Sequence, residues 1–259
     1  MPLDKSSDRV RQMFGQIAGR YDLLNRLLSL GIDRSWRRRT VRLVPPAGDA
    51  PILDVCTGTA DLALAYWRAS GGRVPIVGTD FCLPMLEIGR KKCRRAGAET
   101  GPAEQSSRHT SCAGPAHGVC GLPSITLIEA DTVRLPFPDG MFQIVCVAFG
   151  LRNVSDTDAG LREMTRVCRP GGRVAVLEFS TPTAWPLGPV YGWYFQRILP
   201  RIGQVLARNT QAAYNYLPAS VGQFPQGEAL AGRMRAAGLG EVWFRPFTFG
   251  VATLYVGRK

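Results

Sequence analysis

Two rhythms divide the chain. Over residues 8–44 apolar positions recur at helical steps, with Val10, Met13, Phe14, Ile17 and Tyr21 three or four residues apart. Ser29-Leu30-Gly31 interrupts that pattern and Pro45-Pro46 closes it, so the spacing predicts helices there. From residue 51 the runs shorten. Pro51–Cys56, Val74–Thr79, Ile125–Ala130, Phe142–Ala148 and Arg173–Phe179 are compact apolar stretches, as expected of strands covered on both faces. Helical stretches fall between them, one starting near Asp61, one over Pro84–Arg94 and one over Ala159–Cys168 that meets Pro170-Gly171-Gly172. A helix over Glu228–Ala237 and a strand pair over Glu241–Pro246 and Phe247–Val256 complete the pattern. Such alternation predicts an α/β fold, a mostly parallel sheet with helices on both faces.

Two stretches depart from it. Residues 95–122 are rich in Gly, Ala, Ser, Pro and His and read as a flexible surface insertion. Residues 182–225 gather Trp185, Tyr191, Trp193, Tyr194, Phe195, Tyr214, Tyr216 and Phe224 without a strand period. Clustered aromatics are either core or the wall of an apolar site.

Composition narrows the picture. At 259 residues, 45% of them hydrophobic, the chain suits one large α/β domain. No apolar run approaches the ~20 residues that cross a bilayer. Met1–Asp8 is polar and lacks a signal-peptide apolar region, so a cytoplasmic location is expected. The seven cysteines, an odd number without regular spacing, fit reduced and buried thiols. The net charge of +12 is concentrated at Arg34–Arg42 and Arg90–Arg95. A solvated surface, nucleic acid and an anionic membrane leaflet are all compatible with it.

The candidate chemistry sits at strand ends. Ile52-Leu53-Asp54-Val55 runs into Cys56-Thr57-Gly58-Thr59-Ala60, a turn of small residues whose backbone a ligand can approach. Only Gly58 of a three-glycine dinucleotide motif is present, which argues against a pyrophosphate on this loop. The next strand ends at Asp80, able to accept both hydroxyls of a ribose or to cap the following helix. The third ends near Asp131 and Thr132, suited to an adenine amino group and a ring nitrogen. Because two carboxylates repel a polyphosphate, a nucleoside without phosphates is the economical ligand. His109, Cys112, His117 and Cys120 stand at ligand-like intervals, but the segment is short and loose, and no metal is assigned.

At these residues the chain resembles the class I S-adenosylmethionine methyltransferases. Within them it is similar to the ubiquinone/menaquinone biosynthesis C-methyltransferases. Val10-Arg11-Gln12-Met13-Phe14 through Ile17-Ala18, Tyr21-Asp22, Asn25 and Ser29-Leu30-Gly31 resembles one family signature. Arg166–Arg173 running into Leu177-Glu178-Phe179-Ser180 resembles a second, and Phe149–Val154 matches as well. The resemblance implies a single Rossmann-like domain over 47–259, a seven-stranded sheet with a C-terminal antiparallel strand, and an N-terminal helical lid over 1–46. It implies S-adenosyl-L-methionine as cofactor, bound by Gly58, Thr59, Asp80, Asp131 and Thr132. Two departures stand out, Ala60 where the family usually has glycine and Ala148 where some members have a cofactor-contacting serine.

The implied reaction is C-methylation of an isoprenoid quinol ring, demethylmenaquinol first, with a 2-polyprenyl-6-methoxy-1,4-benzoquinol or an RNA substrate as alternatives. Carbon becomes nucleophilic when a ring hydroxyl loses its proton. Arg152 and Asn153, after the fourth strand, are the catalytic candidates, Arg152 to stabilise the oxyanion and Asn153 to orient the hydroxyl; bracing of the loop is the alternative. Tyr21 and Asp22 are lid candidates, Asp22 also a proton acceptor. The aromatic 182–225 segment suits the isoprenoid tail, and the basic surface suits peripheral contact with an anionic membrane. No nucleic-acid partner is expected, and a homodimer is compatible with the sequence.

Overall fold

The computed structural model describes residues 11–15, 18–19, 22, 29, 31–98, 125–182 and 220–259. The 95–122 insertion with its His and Cys residues, and most of the aromatic 182–225 segment, lie outside them. Residues 11–15, 18–19 and 22 are helical, and helix α1 spans Asp33–Leu43. There follow β1 (Ile52–Val55), α2 (Asp61–Ala69), β2 (Ile76–Asp80), α3 (Leu83–Arg95), β3 (Ile125–Glu129) and β4 (Phe142–Ala148). After a short 3-10 turn at Leu151–Asn153 come α4 (Thr157–Val167), β5 (Cys168–Phe179), α5 (Glu228–Ala236), β6 (Gly240–Phe247) and β7 (Ala252–Arg258).

The strands form one seven-stranded sheet in the order β3-β2-β1-β4-β5-β7-β6. β1 to β5 are parallel, and β7 runs antiparallel to both β5 and β6. The two-residue period of the strands sorts their side chains onto two faces. Ile52, Ile76, Ile144, Ala175, Leu177 and Leu254 join the core under α1, α2 and α3. Their neighbours Leu53, Val77, Val145, Val174, Val176 and Tyr255 join the core with Leu161 and Met164 of α4 and Leu230 and Met234 of α5. The central strands β1, β2 and β4 are therefore buried on both faces, which explains their uninterrupted apolar runs in the sequence.

Local chemistry sets the boundaries. Asp156 caps α4, its carboxylate accepting from the amides of Asp158 (2.9 Å) and Ala159 (3.0 Å). Pro170-Gly171-Gly172 does not follow the helix as a separate terminator. α4 ends at Val167, and the three residues form a bulge inside β5, where pairing passes from Phe142–Cys168 to Ile144–Arg173. Gly171 has a φ of +73°, and a Cβ on Gly172 would lie 2.9 Å from the Gln143 carbonyl oxygen, so the bulge needs both glycines. The expected strand Phe247–Val256 is also divided. Phe247 ends β6, Thr248–Gly250 form a 3-10 turn, and β7 begins at Ala252.

Among the described residues no helix is long and apolar enough to cross a membrane.

Candidate active site

The sheet order reverses beside β1: β2 and β3 lie to one side, β4 and β5 to the other. The chain leaves β1 and β4 toward helices serving opposite sides of that point, which leaves a crevice at the carboxyl edge of the sheet. Asp54 and Asp80 shape one wall of it. The buried Asp54 carboxylate accepts from Thr57 Oγ1 (2.6 Å) and the Ala63 amide (3.1 Å), tying the loop after β1 to the first turn of α2. Burial pushes its carboxyl up to about 7, against the pull of those two donors and of Arg37. Cys56, Gly58 and Ala60 all have positive φ (50°, 56° and 65°), so the loop coils tightly with every second residue left-handed.

Asp80 lies across from that loop. Its Oδ2 accepts from the Gly58 amide (2.8 Å) and its Oδ1 from the Cys82 amide (2.9 Å), so it braces both the loop and the start of α3. Asp80 is not the helix cap, because Cys82 occupies that position without a side-chain cap; Asp80 bonds the Cys82 amide ahead of the helix and lines the cleft. Burial lifts its carboxyl to about 6, opposed by these backbone amides.

The opposite wall follows β4. Phe149 has a φ of +61°, costly for a bulky residue, and Gly150 comes next. A Cβ on Gly150 would overlap the Cβ of Cys56 far inside contact distance. The two loops thus touch at Cys56 and Gly150, and only glycine fits. Phe149 packs at a tilt against Phe179 with centroids 4.4 Å apart and against Trp36 at 5.9 Å.

Between the walls is a cleft lined by Gly58, Asp80, Phe81, Met85, Phe149 and Asn153 together with Cys56, Cys82, Ala148, Gly150 and Val154. Phe14 reaches it from the N-terminal helix, while Ala18 packs on Cys82 and Met85. The wall is apolar apart from Asp80 and Asn153. Asn153 lines the cleft, and its Oδ1 is buried without a hydrogen-bond partner among the described residues. A nucleoside fits this donor and acceptor set: one carboxylate for ribose hydroxyls, and aromatic and thioether surface for a base.

The remaining candidates are placed differently. Thr59 is buried, and its hydroxyl donates to Asp22 Oδ1 (2.7 Å) and accepts from Lys92 Nζ (2.9 Å). Lys92 also reaches Asp22 Oδ2 (3.0 Å) and pairs with Asp61, so Asp22 joins the N-terminal segment to the loop's outer side. Asp131 is exposed and accepts from the Val133 amide (3.1 Å). Thr132 is buried, with its hydroxyl 3.3 Å from Cys56 Sγ. The Arg152 guanidinium is turned inward. It pairs with Glu178 Oε2 (2.7 Å), donates to the Phe149 carbonyl (2.5 Å) and lies over the Phe179 ring at 5.3 Å. Sequence reasoning did not single out Phe81, Met85, Lys92 or Glu178. Only Glu178, a lone acid inside a buried strand run, carried a signal that points to a buried partner.

Comparison with known proteins agrees with this geometry. The model of the ubiE/COQ5 methyltransferase family matches residues 3–107 and 115–259. The chain is 44% identical over 257 residues to the ubiquinone/menaquinone biosynthesis C-methyltransferase UbiE of Citrifermentans bemidjiense, covering 99% of both chains. It is 45% identical over 247 residues to the demethylmenaquinone methyltransferase of Thermus thermophilus, covering 95% of this chain and all of that one. Among solved structures it resembles a putative S-adenosyl-L-methionine-dependent methyltransferase of Methanococcus maripaludis. That likeness has a TM-score of 0.62 at 14% identity and covers 100% of this chain and 97% of the other, which speaks to fold alone. With the strand order, the crevice beside β1 and a family match along nearly the whole length, the chain belongs to the ubiE/COQ5 methyltransferase family and is an S-adenosylmethionine-dependent methyltransferase.

Proposed function

We propose that this enzyme methylates a ring carbon of an isoprenoid quinol, demethylmenaquinol in the first place. The observation that supports the reading is the cleft itself, apolar except for Asp80 and Asn153. The names of the two relatives have menaquinone in common, whereas ubiquinone occurs in only one. The benzoquinol is therefore the second substrate to try.

S-adenosylmethionine supplies an electrophilic methyl group when bound. Asp80 accepts the ribose hydroxyls, the Gly58 backbone lies against the nucleoside, and Asp131 with Thr132 serves the adenine end of the same sheet edge. Thr59 acts indirectly, by fixing the loop to Asp22 and Lys92. On the acceptor side, Asn153 Oδ1 takes a hydrogen bond from the ring hydroxyl and so sets which carbon faces the methyl group. Arg152, already committed to Glu178 and the Phe149 carbonyl, positions the Phe149–Asn153 turn rather than touching the ring. Within the 1–46 segment the helix carrying Phe14 and Ala18 acts as the lid, a reading supported by Phe14 at the cleft and Ala18 against Met85, whereas α1 is packed on the body of the domain.

The test is incubation of the enzyme with methyl-labelled donor and either demethylated quinol, with the product identified by mass spectrometry. Label on a ring carbon of demethylmenaquinol is the expected result. Label in neither quinol, or only in added RNA, would overturn the proposal.

A further inference from the structure

Away from the cleft, helix α1 carries a row of arginines. Arg34, Arg38 and Arg42 succeed one another at four-residue steps and so lie along one line of the helix. All three are exposed, and none pairs with a carboxylate among the described residues. Arg34 and Arg38 also line, with Arg68 of α2 and Arg95 of α3, an open groove. Trp36 and Thr40 bury the opposite side of α1, so the helix is anchored and the row is presented outward.

The other flank of α1 meets the Thr248–Gly250 turn. Trp36 Nε1 donates to Thr248 Oγ1 (2.7 Å), and the Arg39 guanidinium lies 4.6 Å over the Phe247 ring. In that turn Phe249 is 74% exposed, on left-handed backbone between Thr248 and Gly250, which are left-handed as well. The turn stands at the edge of the sheet that holds the cleft, because Phe179 at the end of β5 pairs with Ala252 at the start of β7. A protruding aromatic ring beside unneutralised arginines suits the layer where lipid headgroups meet acyl chains.

We infer that α1 and the Thr248–Gly250 turn form one docking surface for an anionic lipid bilayer. Arg34, Arg38 and Arg42 meet headgroup phosphates, and Phe249 enters the acyl boundary. The inference rests on the quinol reading above, since a substrate with an isoprenoid tail resides in the bilayer, and docking by this edge brings the cleft to it. RNA would also be drawn to the arginines, but an apolar ring on an isolated turn favours lipid.

The test is co-sedimentation of the full chain with phosphatidylcholine vesicles, with and without phosphatidylglycerol, and separately with single-stranded RNA. Wild-type protein binds the anionic vesicles preferentially. Arg34→Gln/Arg38→Gln weakens that binding about 25-fold, roughly fivefold per arginine. Phe249→Asn, which tolerates the left-handed turn, weakens it at least about fivefold. Both variants keep wild-type turnover on a water-soluble short-chain quinol, which shows them folded. Equal binding to neutral and anionic vesicles, wild-type binding by both variants, or capture of RNA without vesicles overturns the inference. Vesicle binding is read without substrate and turnover without vesicles, so failure of either reading leaves the other visible.

Discussion

The contact between Cys56 and Gly150 can be tested by a double-mutant cycle. Gly150→Ala places a Cβ on that of Cys56, and neither atom can rotate away because each is fixed by its backbone. The loops after β1 and β4 must separate, at a cost near the upper end for overpacking, about 3 kcal/mol. Cys56→Gly by itself should be mild. It removes a thiol 3.3 Å from Thr132 Oγ1 but relieves a left-handed residue, and the two effects, each about 1 kcal/mol, oppose one another. In the double variant the overlapping Cβ and the Sγ are gone, and the nearest remaining neighbour is the residue 56 carbonyl oxygen at 3.4 Å, an ordinary contact. Urea denaturation should therefore give a coupling of about 2–3 kcal/mol, the second change rescuing the first. Calorimetric titration with S-adenosylmethionine should follow the same course, lost in Gly150→Ala and recovered in the double variant. Additive costs in the two assays would show that the loops do not meet as described.

Asp54→Asn should alter the pH dependence of stability. The unfolded carboxyl titrates at 3.8 and the folded one at about 7, so the folded chain holds an extra proton between them and wild-type stability falls as pH rises through that window. From pH 4 to pH 8 the variant should gain up to about 4 kcal/mol on wild type in denaturation midpoints, and a pH-independent difference would refute this. Asp80→Asn should weaken the methyl donor about 10–100-fold by calorimetry. In wild type the dissociation constant should rise about tenfold per unit below pH 6, where binding must first expel the Asp80 proton. Glu178→Gln strands the Arg152 charge in the interior and should cost about 3–5 kcal/mol of unfolding free energy, largely restored when Arg152→Met is added.

The sheet was legible because burial on both faces leaves a strong mark: the runs around Leu53, Val77, Val145 and Val176 contain little but apolar residues. Asp80 was legible for a related reason, as a carboxylate ending such a run needs partners. What stayed hidden depends on contacts distant in sequence. The composition of Pro170-Gly171-Gly172 does not tell a helix terminator from a strand bulge, because the choice is made by the approach of Gln143 on β4. Nothing near Thr59 announces that its hydroxyl will be claimed by Asp22 and Lys92, 37 and 33 residues away. Arg152 was recognisable as a residue of the site, but its direction was set by Glu178 on the neighbouring strand.

Trp36 has a practical use that follows from its position. Its indole packs at a tilt against Phe149, a wall of the cleft, while its N–H is held by the Thr248 hydroxyl. Emission from an indole responds to both kinds of neighbour, so this side chain is a built-in optical gauge of cleft occupancy. Replacing the other four of the chain's five tryptophans with phenylalanine would isolate the signal and permit dye-free binding titrations.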